Sequence, residues 1–250
     1  MALLKYFHLD LALIIQSYTG ELLDMPLSLT CCYKGSAKEN KLLETKMPNL
    51  RYLTWSGDSL EEISFCKNII YLDLGKDFAG EDISPLSKLK SLTFLNLMLF
   101  EGSNIEAISS LVNLTYLNLD SFDGNISPLA NLRSLTSLGL MSFTGSDGDL
   151  SPLSELRSLT FLDLASFNGS AEKDISPLAN LKLLKFLDLG NLEGGDISPL
   201  SGLRSLTYLD LCFFEEGDIS LLAELTSLNF LNLSSFKGDK SILKHLKCSF

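Results

Sequence analysis

The sequence predicts a mixed α/β solenoid built from stacked copies of one short unit. Three observations predict it. A leucine motif recurs along the chain, each copy carries the alternation of a half-buried strand, and each strand is followed by turn and helix-start residues. Ser91-Leu-Thr-Phe-Leu-Asn-Leu97 returns nearly unchanged at 113–119, 158–164, 205–211 and 227–233. Weaker copies begin at Leu50, Ile69, Leu135 and Leu184. Counting from the first apolar residue of each copy, the steps are 19, 23, 22, 21, 24, 25, 22 and 22 residues. A fixed period of this size marks a repeat architecture, in which one unit cannot bury its apolar face and stacked units can.

Within a unit, Leu95 and Leu97 alternate with Phe94 and Asn96, the period-2 pattern of a strand with one face buried. Phe-x-Gly follows, as in Phe100-Glu101-Gly102 and Phe143-Thr144-Gly145. The glycine is expected to turn the chain with positive φ. Next comes Asp-Ile-Ser-Pro-Leu, at 82–86, 174–178 and 196–200. Serine then proline reads as an N-cap and first helical position, opening a short helical turn whose leucines, such as Leu86 and Leu89, face inward.

This pattern resembles the leucine-rich repeats of the bacterial internalins, whose units also carry I-x-P-L-x-x-L-x-x-L-x-x-L-x-L. The resemblance covers residues 50–245. It implies a right-handed solenoid with a parallel sheet on the concave face and short helical turns on the convex face. In such repeats an asparagine usually stands three residues after the last strand leucine and bonds neighbouring turns. Here Phe100, Phe122, Phe143, Phe167, Leu192, Phe214 and Phe236 take that place. An aromatic stack is expected to replace the asparagine ladder.

Three regions follow. Residues 1–48 do not fit the repeat and are expected to be a helical N-terminal cap. Leu9 to Tyr18 suggest one helix, and Leu22, Leu23, Leu27 and Leu29 a second. Their apolar spacing also loosely resembles an F-box, although Leu9-Asp10 stands where Leu-Pro is usual. Residues 49–238 hold about nine repeats. Residues 239–250 read as a half-repeat cap closing the array, with no further domain, because Lys240 stands where Ile219 is apolar.

Composition narrows function. Twenty basic and 31 acidic residues give a net charge of −11, which disfavours nucleic acid and anionic membranes as partners. A protein with a basic surface is the better match. His8 and Asp10 interrupt the apolar N-terminus, so no secretory signal is expected. No stretch reaches membrane-span length. The five cysteines form no metal or disulfide framework. A soluble, cytoplasmic monomer without cofactor or metal is therefore expected. Only His8 and His245 are present, both outside the regular array, so no catalytic set is assembled and no enzymatic activity is expected.

In relatives of this kind, ligands bind residues interleaved with the strand leucines. Two outward columns result from the alternation. One holds Tyr52, Tyr71, Phe94, Tyr116, Ser137, Phe161, Phe186, Tyr208 and Phe230. The other holds Thr54, Asp73, Asn96, Asn118, Gly139, Asp163, Asp188, Asp210 and Asn232. Rings favour strands by propensity, but a long exposed row of them points to partner anchoring. The carboxylates fit either selection of a basic ligand or a solvated ladder. Both columns break at Ser137 and Gly139, as a notch for a protruding ligand group or as drift in one repeat. Two charged columns flank the strands, a basic one through Lys90, Arg133 and Arg204 and an acidic one through Asp82, Asp196 and Asp218. Both read as surface solubility. Two further functions stay open, an F-box-like substrate receptor of a ubiquitin ligase and a structural component of a larger assembly.

Overall fold

The computed structural model describes residues 27–31 by their backbone, and 50–55, 57–61, 63–145, 148–167, 174–192 and 194–248. Ten parallel strands form one sheet in strict chain order. They are β1 (Leu27–Cys31), β2 (Leu50–Trp55), β3 (Tyr71–Asp73), β4 (Phe94–Asn96), β5 (Tyr116–Asn118), β6 (Ser137–Gly139), β7 (Phe161–Asp163), β8 (Phe186–Asp188), β9 (Tyr208–Asp210) and β10 (Phe230–Asn232). Each repeat strand pairs with the same positions of the next, so Phe94 faces Tyr116, Leu95 faces Leu117 and Asn96 faces Asn118. The fold is the expected right-handed solenoid.

The central leucine of each three-residue strand is sealed, and the two residues beside it are half-exposed or, at Phe230, exposed. Leucines of every coil merge into one continuous core, with Leu86, Leu89, Leu92 and Leu95 fully buried in a single unit. At about 1.5–3 kcal/mol per buried leucine, this column is the main source of stability.

Two ladders tie coil to coil beyond the strands. Thr93, Thr115, Thr136 and Thr160 each donate their hydroxyl to a carbonyl of the preceding coil, at 2.9–3.1 Å. The second ladder depends on left-handed backbone at Leu99, Ser121, Ser142, Ser166 and Asn191, with φ between 57° and 71°. There the N–H swings sideways and donates to the following coil, as from Leu99 to Asp120 (3.0 Å) and from Ser121 to Met141 (2.7 Å).

Positive φ therefore falls one residue before the phenylalanine, and the glycine after it serves a different purpose. Gly145 does have positive φ, but Gly102 and Gly124 do not. A Cβ on Gly124 would sit 2.4 Å from the Phe122 ring and 2.5 Å from the Ser103 carbonyl. Glycine is needed there so that the ring can lie over the backbone.

That ring column is the expected aromatic stack. Phe100, Phe122, Phe143, Phe167 and Phe214 are buried. The pairs Phe100–Phe122, Phe143–Phe167 and Phe214–Phe236 stack at 6.0–6.4 Å with nearly parallel planes, and buried Leu192 stands in the column between Phe167 and Phe214. Phe78 extends it by one coil at the N-terminal end.

The convex turns are 3-10 helices, such as Ser84–Lys88 and Ser198–Gly202. Serine begins both of these turns but does not cap them, and the residue before it makes no side-chain cap bond; Glu106 opens the corresponding turn Glu106–Ser110. Instead the aspartate two residues earlier accepts the serine N–H, at 2.8 Å from Asp82, Asp149, Asp174, Asp196 and Asp218. An Asx turn exploits the short side chain to mimic a backbone turn. The acidic convex column, expected to serve solubility, is thus a structural cap. These bonds hold Asp82 and Asp196 below the ordinary carboxylate range, mainly through the backbone N–H. Asp218 is held low mainly by the serine hydroxyl. Of the basic column, Arg133 and Arg204 make exposed ion pairs with Glu155 and Glu224.

At the two ends the expectations divide. Leu27 and Leu29, assigned above to a second helix, lie in strand β1, which pairs with β2. Apolar residues at this spacing suit either element, and the neighbouring sheet edge decides for strand. The rest of the proposed helical cap and its F-box-like motif lies outside the described residues. Near the C-terminus Lys240 does not simply reach water, because its Nζ donates to the Leu233 carbonyl at 2.7 Å. The ring nitrogens of His245 lie 3.1 and 2.8 Å from the carbonyls of Ile242 and Ala223, engaging it in backbone contacts.

Candidate functional site: the concave strand face

The strand alternation puts Tyr71, Phe94, Tyr116, Phe161, Phe186, Tyr208 and Phe230 in one row on the open side of the sheet. The rings do not stand separately. Successive centroids lie 4.1–4.3 Å apart with planes 6–14° from parallel. That is closer than the roughly 4.8 Å between strands, so each ring leans on its neighbour. At the row's ends Tyr52 and Phe230 remain 37% and 40% exposed.

The row is two stacks. Tyr71, Phe94 and Tyr116 form one, with Tyr52 tilted against its end. Phe161, Phe186, Tyr208 and Phe230 form the other. Between them stands Ser137 on β6, paired with Tyr116 on one side and Phe161 on the other.

The polar column stands beside the rings. Asn96, Asn118, Asp163, Asp188, Asp210 and Asn232 each accept the backbone N–H two residues on, at 2.7–3.0 Å. One oxygen of each therefore shapes the turn at the strand end. Some of the remaining atoms pair along the column. Asn96 donates to Asp73 at 2.9 Å, and Asn232 donates to Asp210 at 3.0 Å. The column is thus neither a purely solvated ladder nor wholly committed to a ligand.

Asp163 and Asp188 are neighbouring carboxylates that each keep a spare oxygen; Asp73, which accepts the Asn96 amide at one oxygen, stands several strands away. They are register partners on β7 and β8. Among the described residues, no donor reaches the second oxygen of either. Partial burial is the largest influence and pushes both carboxyls up; their turn N–H bonds pull the other way. The nearby charges of Asp120, and of Asp210 and Asp163 respectively, push them further up. Burial and Asp73 raise Tyr71; burial and Asp210 raise Tyr208.

The sequence columns do not include Asp120. It follows the last strand leucine, where other coils carry Met98, Met141, Ala165, Gly190 or Cys212. Its carboxylate accepts the Met141 N–H and the Asn118 amide, both at 2.9 Å. A Cβ on Gly139 would lie 2.8 Å from Asp120 Oδ1. Asp120 therefore occupies the polar half of the notch, and only the ring half, above Ser137, stays open. The available sequence signal was the pairing of a carboxylate at this position with glycine in the next strand.

A stacked-coil solenoid with a recurrent leucine core and an open ring-and-carboxylate face defines a leucine-rich-repeat protein. Comparison with solved structures refines that class. An internalin (inlF) from Listeria monocytogenes superposes with a TM-score of 0.73 at 26% identity, covering 95% of this chain and 79% of its own. Internalin C2 from the same organism superposes at 0.62 with 33% identity, covering 69% of this chain and 74% of its own. A leucine-rich-repeat protein of Leptospira interrogans shares the fold, with a TM-score of 0.71 at 23% identity over 96% of this chain and 62% of its own. The sequence matches no protein-family model and none of the curated proteins. The chain belongs to the leucine-rich-repeat proteins of the internalin-like class.

Proposed function

We propose that this chain is a non-catalytic binding module that holds a partner protein with a basic surface on its concave face. One observation carries the reading. Seven rings and the adjacent carboxylates Asp163 and Asp188, each with an oxygen that no described donor reaches, lie on the same open side of the solenoid. The rings provide apolar contact without long flexible side chains to immobilise, a property of interface anchors. Asp163 and Asp188 are partly desolvated and stand side by side, so a cation from the partner relieves both burial and mutual repulsion. The net charge of −11 favours encounter with such a partner and opposes phosphate backbones.

The test is affinity capture from the native cell. Wild type is compared with Phe161→Ala/Phe186→Ala and with a variant altered only on the convex turns. Capture lost in the concave variant and kept in the convex one is the expected result. The reverse pattern rejects the concave face as the binding surface.

A further inference from the structure

The open half of the notch has a definite shape and chemistry. Stacking stops at Tyr116 and resumes at Phe161, and the strand between them carries only Ser137. The gap spans two strand spacings, about 9.5 Å. Both bordering rings already stack on their outer neighbours, at 4.1 Å with planes 6° apart and at 4.2 Å with planes 10° apart. Their free faces therefore look toward each other across a space suited to one flat group. Asp120 stands beside this gap over Gly139, with both oxygens bonded. Asp163 also stands beside it, with one oxygen bonded to the Ala165 N–H.

We propose that this gap is a slot for one arginine side chain of the partner protein, its guanidinium sandwiched between Tyr116 and Phe161 and paired with the free oxygen of Asp163. The assignment rests on the concave-face reading above and names the group that reading requires. Three properties select arginine. A guanidinium is flat, so it fills a gap left in a stack of parallel rings. It is cationic and attracted to both ring faces. Its N–H fork reaches a carboxylate sideways while the plane stays stacked. A phenylalanine would fill the slot but cover the Asp163 carboxylate without pairing it. A lysine ammonium would pair with the carboxylate but leave the ring faces uncovered.

The probes are acetyl-Gly-Arg-Gly-amide and its lysine and phenylalanine counterparts. Each is titrated into the full chain while backbone amide shifts are followed by NMR. The arginine peptide is expected to give saturable shifts centred on Ser137, Leu138 and Gly139, with an affinity about fivefold or more above the lysine peptide. Ser137→Phe supplies the missing ring and should abolish these shifts without lowering the melting temperature. Asp163→Asn keeps the turn acceptor, removes the charge and should weaken binding about fivefold or more. Equal binding of the arginine and lysine peptides overturns the slot, as does unchanged arginine binding in a folded Ser137→Phe protein. Partner capture separates this proposal from the broader one. Capture kept by Ser137→Phe but lost by Phe161→Ala/Phe186→Ala rejects the slot alone. Capture kept by both rejects the concave-face reading itself.

Discussion

Phe100 and Phe122 join the same two coils as Phe94 and Tyr116, yet the first pair lies 6.4 Å apart and the second 4.1 Å. The difference separates two uses of one residue type. The inner rings sit among leucines, so leucine packing sets their spacing and each contact excludes water from all sides. The outer rings have only one another for shelter and lean together until their faces meet. Ring spacing also widens from the strand side toward the turn side, as expected for wedge-shaped coils that curve toward the strands. Apolar stacking alone therefore does not mark a core, and an exposed ring row can be well ordered without being part of one.

The comparison is broken most forcefully from the inside. Phe122→Ala removes a fully buried ring and should cost about 3–5 kcal/mol, read from urea denaturation. Gly124→Ala leaves every ring in place but drives a methyl group into Phe122 and the Ser103 carbonyl. It should cost about 1–3 kcal/mol by overpacking, in the same assay. Phe161→Ala/Phe186→Ala deletes two outer rings and should cost only about 1–2 kcal/mol, the scale of exposed cross-strand and aromatic pairs. A loss as large as that of Phe122→Ala would place those rings in the core.

The smallest effect distinguishes the two sets of aspartates by sign. The convex carboxylates Asp82, Asp196 and Asp218 have depressed pKa values. They contribute stability above the ordinary carboxylate pKa, and it is lost as pH falls through their lowered values. Asp163 and Asp188 are raised. The native state holds their protons more tightly than the unfolded chain, so they reduce stability as pH climbs from the ordinary carboxylate pKa to their raised values. Asp163→Asn/Asp188→Asn should therefore melt higher than wild type at neutral pH. The gain should disappear below the ordinary carboxylate range, which melting curves across pH will show.

Much of this was legible in the residues. Strict alternation around Leu95, Leu117 and Leu162 gave strand, register and outward columns together, because a shift by one residue would bury every ring and expose every leucine. The phenylalanine stack was legible because Phe100, Phe122 and Phe143 recur at one position. The left-handed residues were hidden. Leu99, Ser121 and Asn191 share no side-chain chemistry, and what selects their conformation is a backbone N–H directed at the next coil. The aspartate caps were misread because Ser-Pro is a familiar helix start, and the preceding Asp reaches the serine N–H first. Asp120 was missed because it acts on the strand of the following coil, at a position with no column of its own. Strand β1 was missed because Leu27 and Leu29 owe their conformation to the sheet edge beside them.

The central claim is that the outer rings form a contact surface and the inner rings do not. Hydroxyl-radical footprinting read by mass spectrometry measures both sets in one experiment. In the free protein, Tyr71, Tyr116, Phe161 and Tyr208 should be oxidised while Phe100, Phe122 and Phe143 are spared, and adding the captured partner should protect the first set. Equal labelling of the two sets, or partner protection confined to the convex turns, would contradict the account.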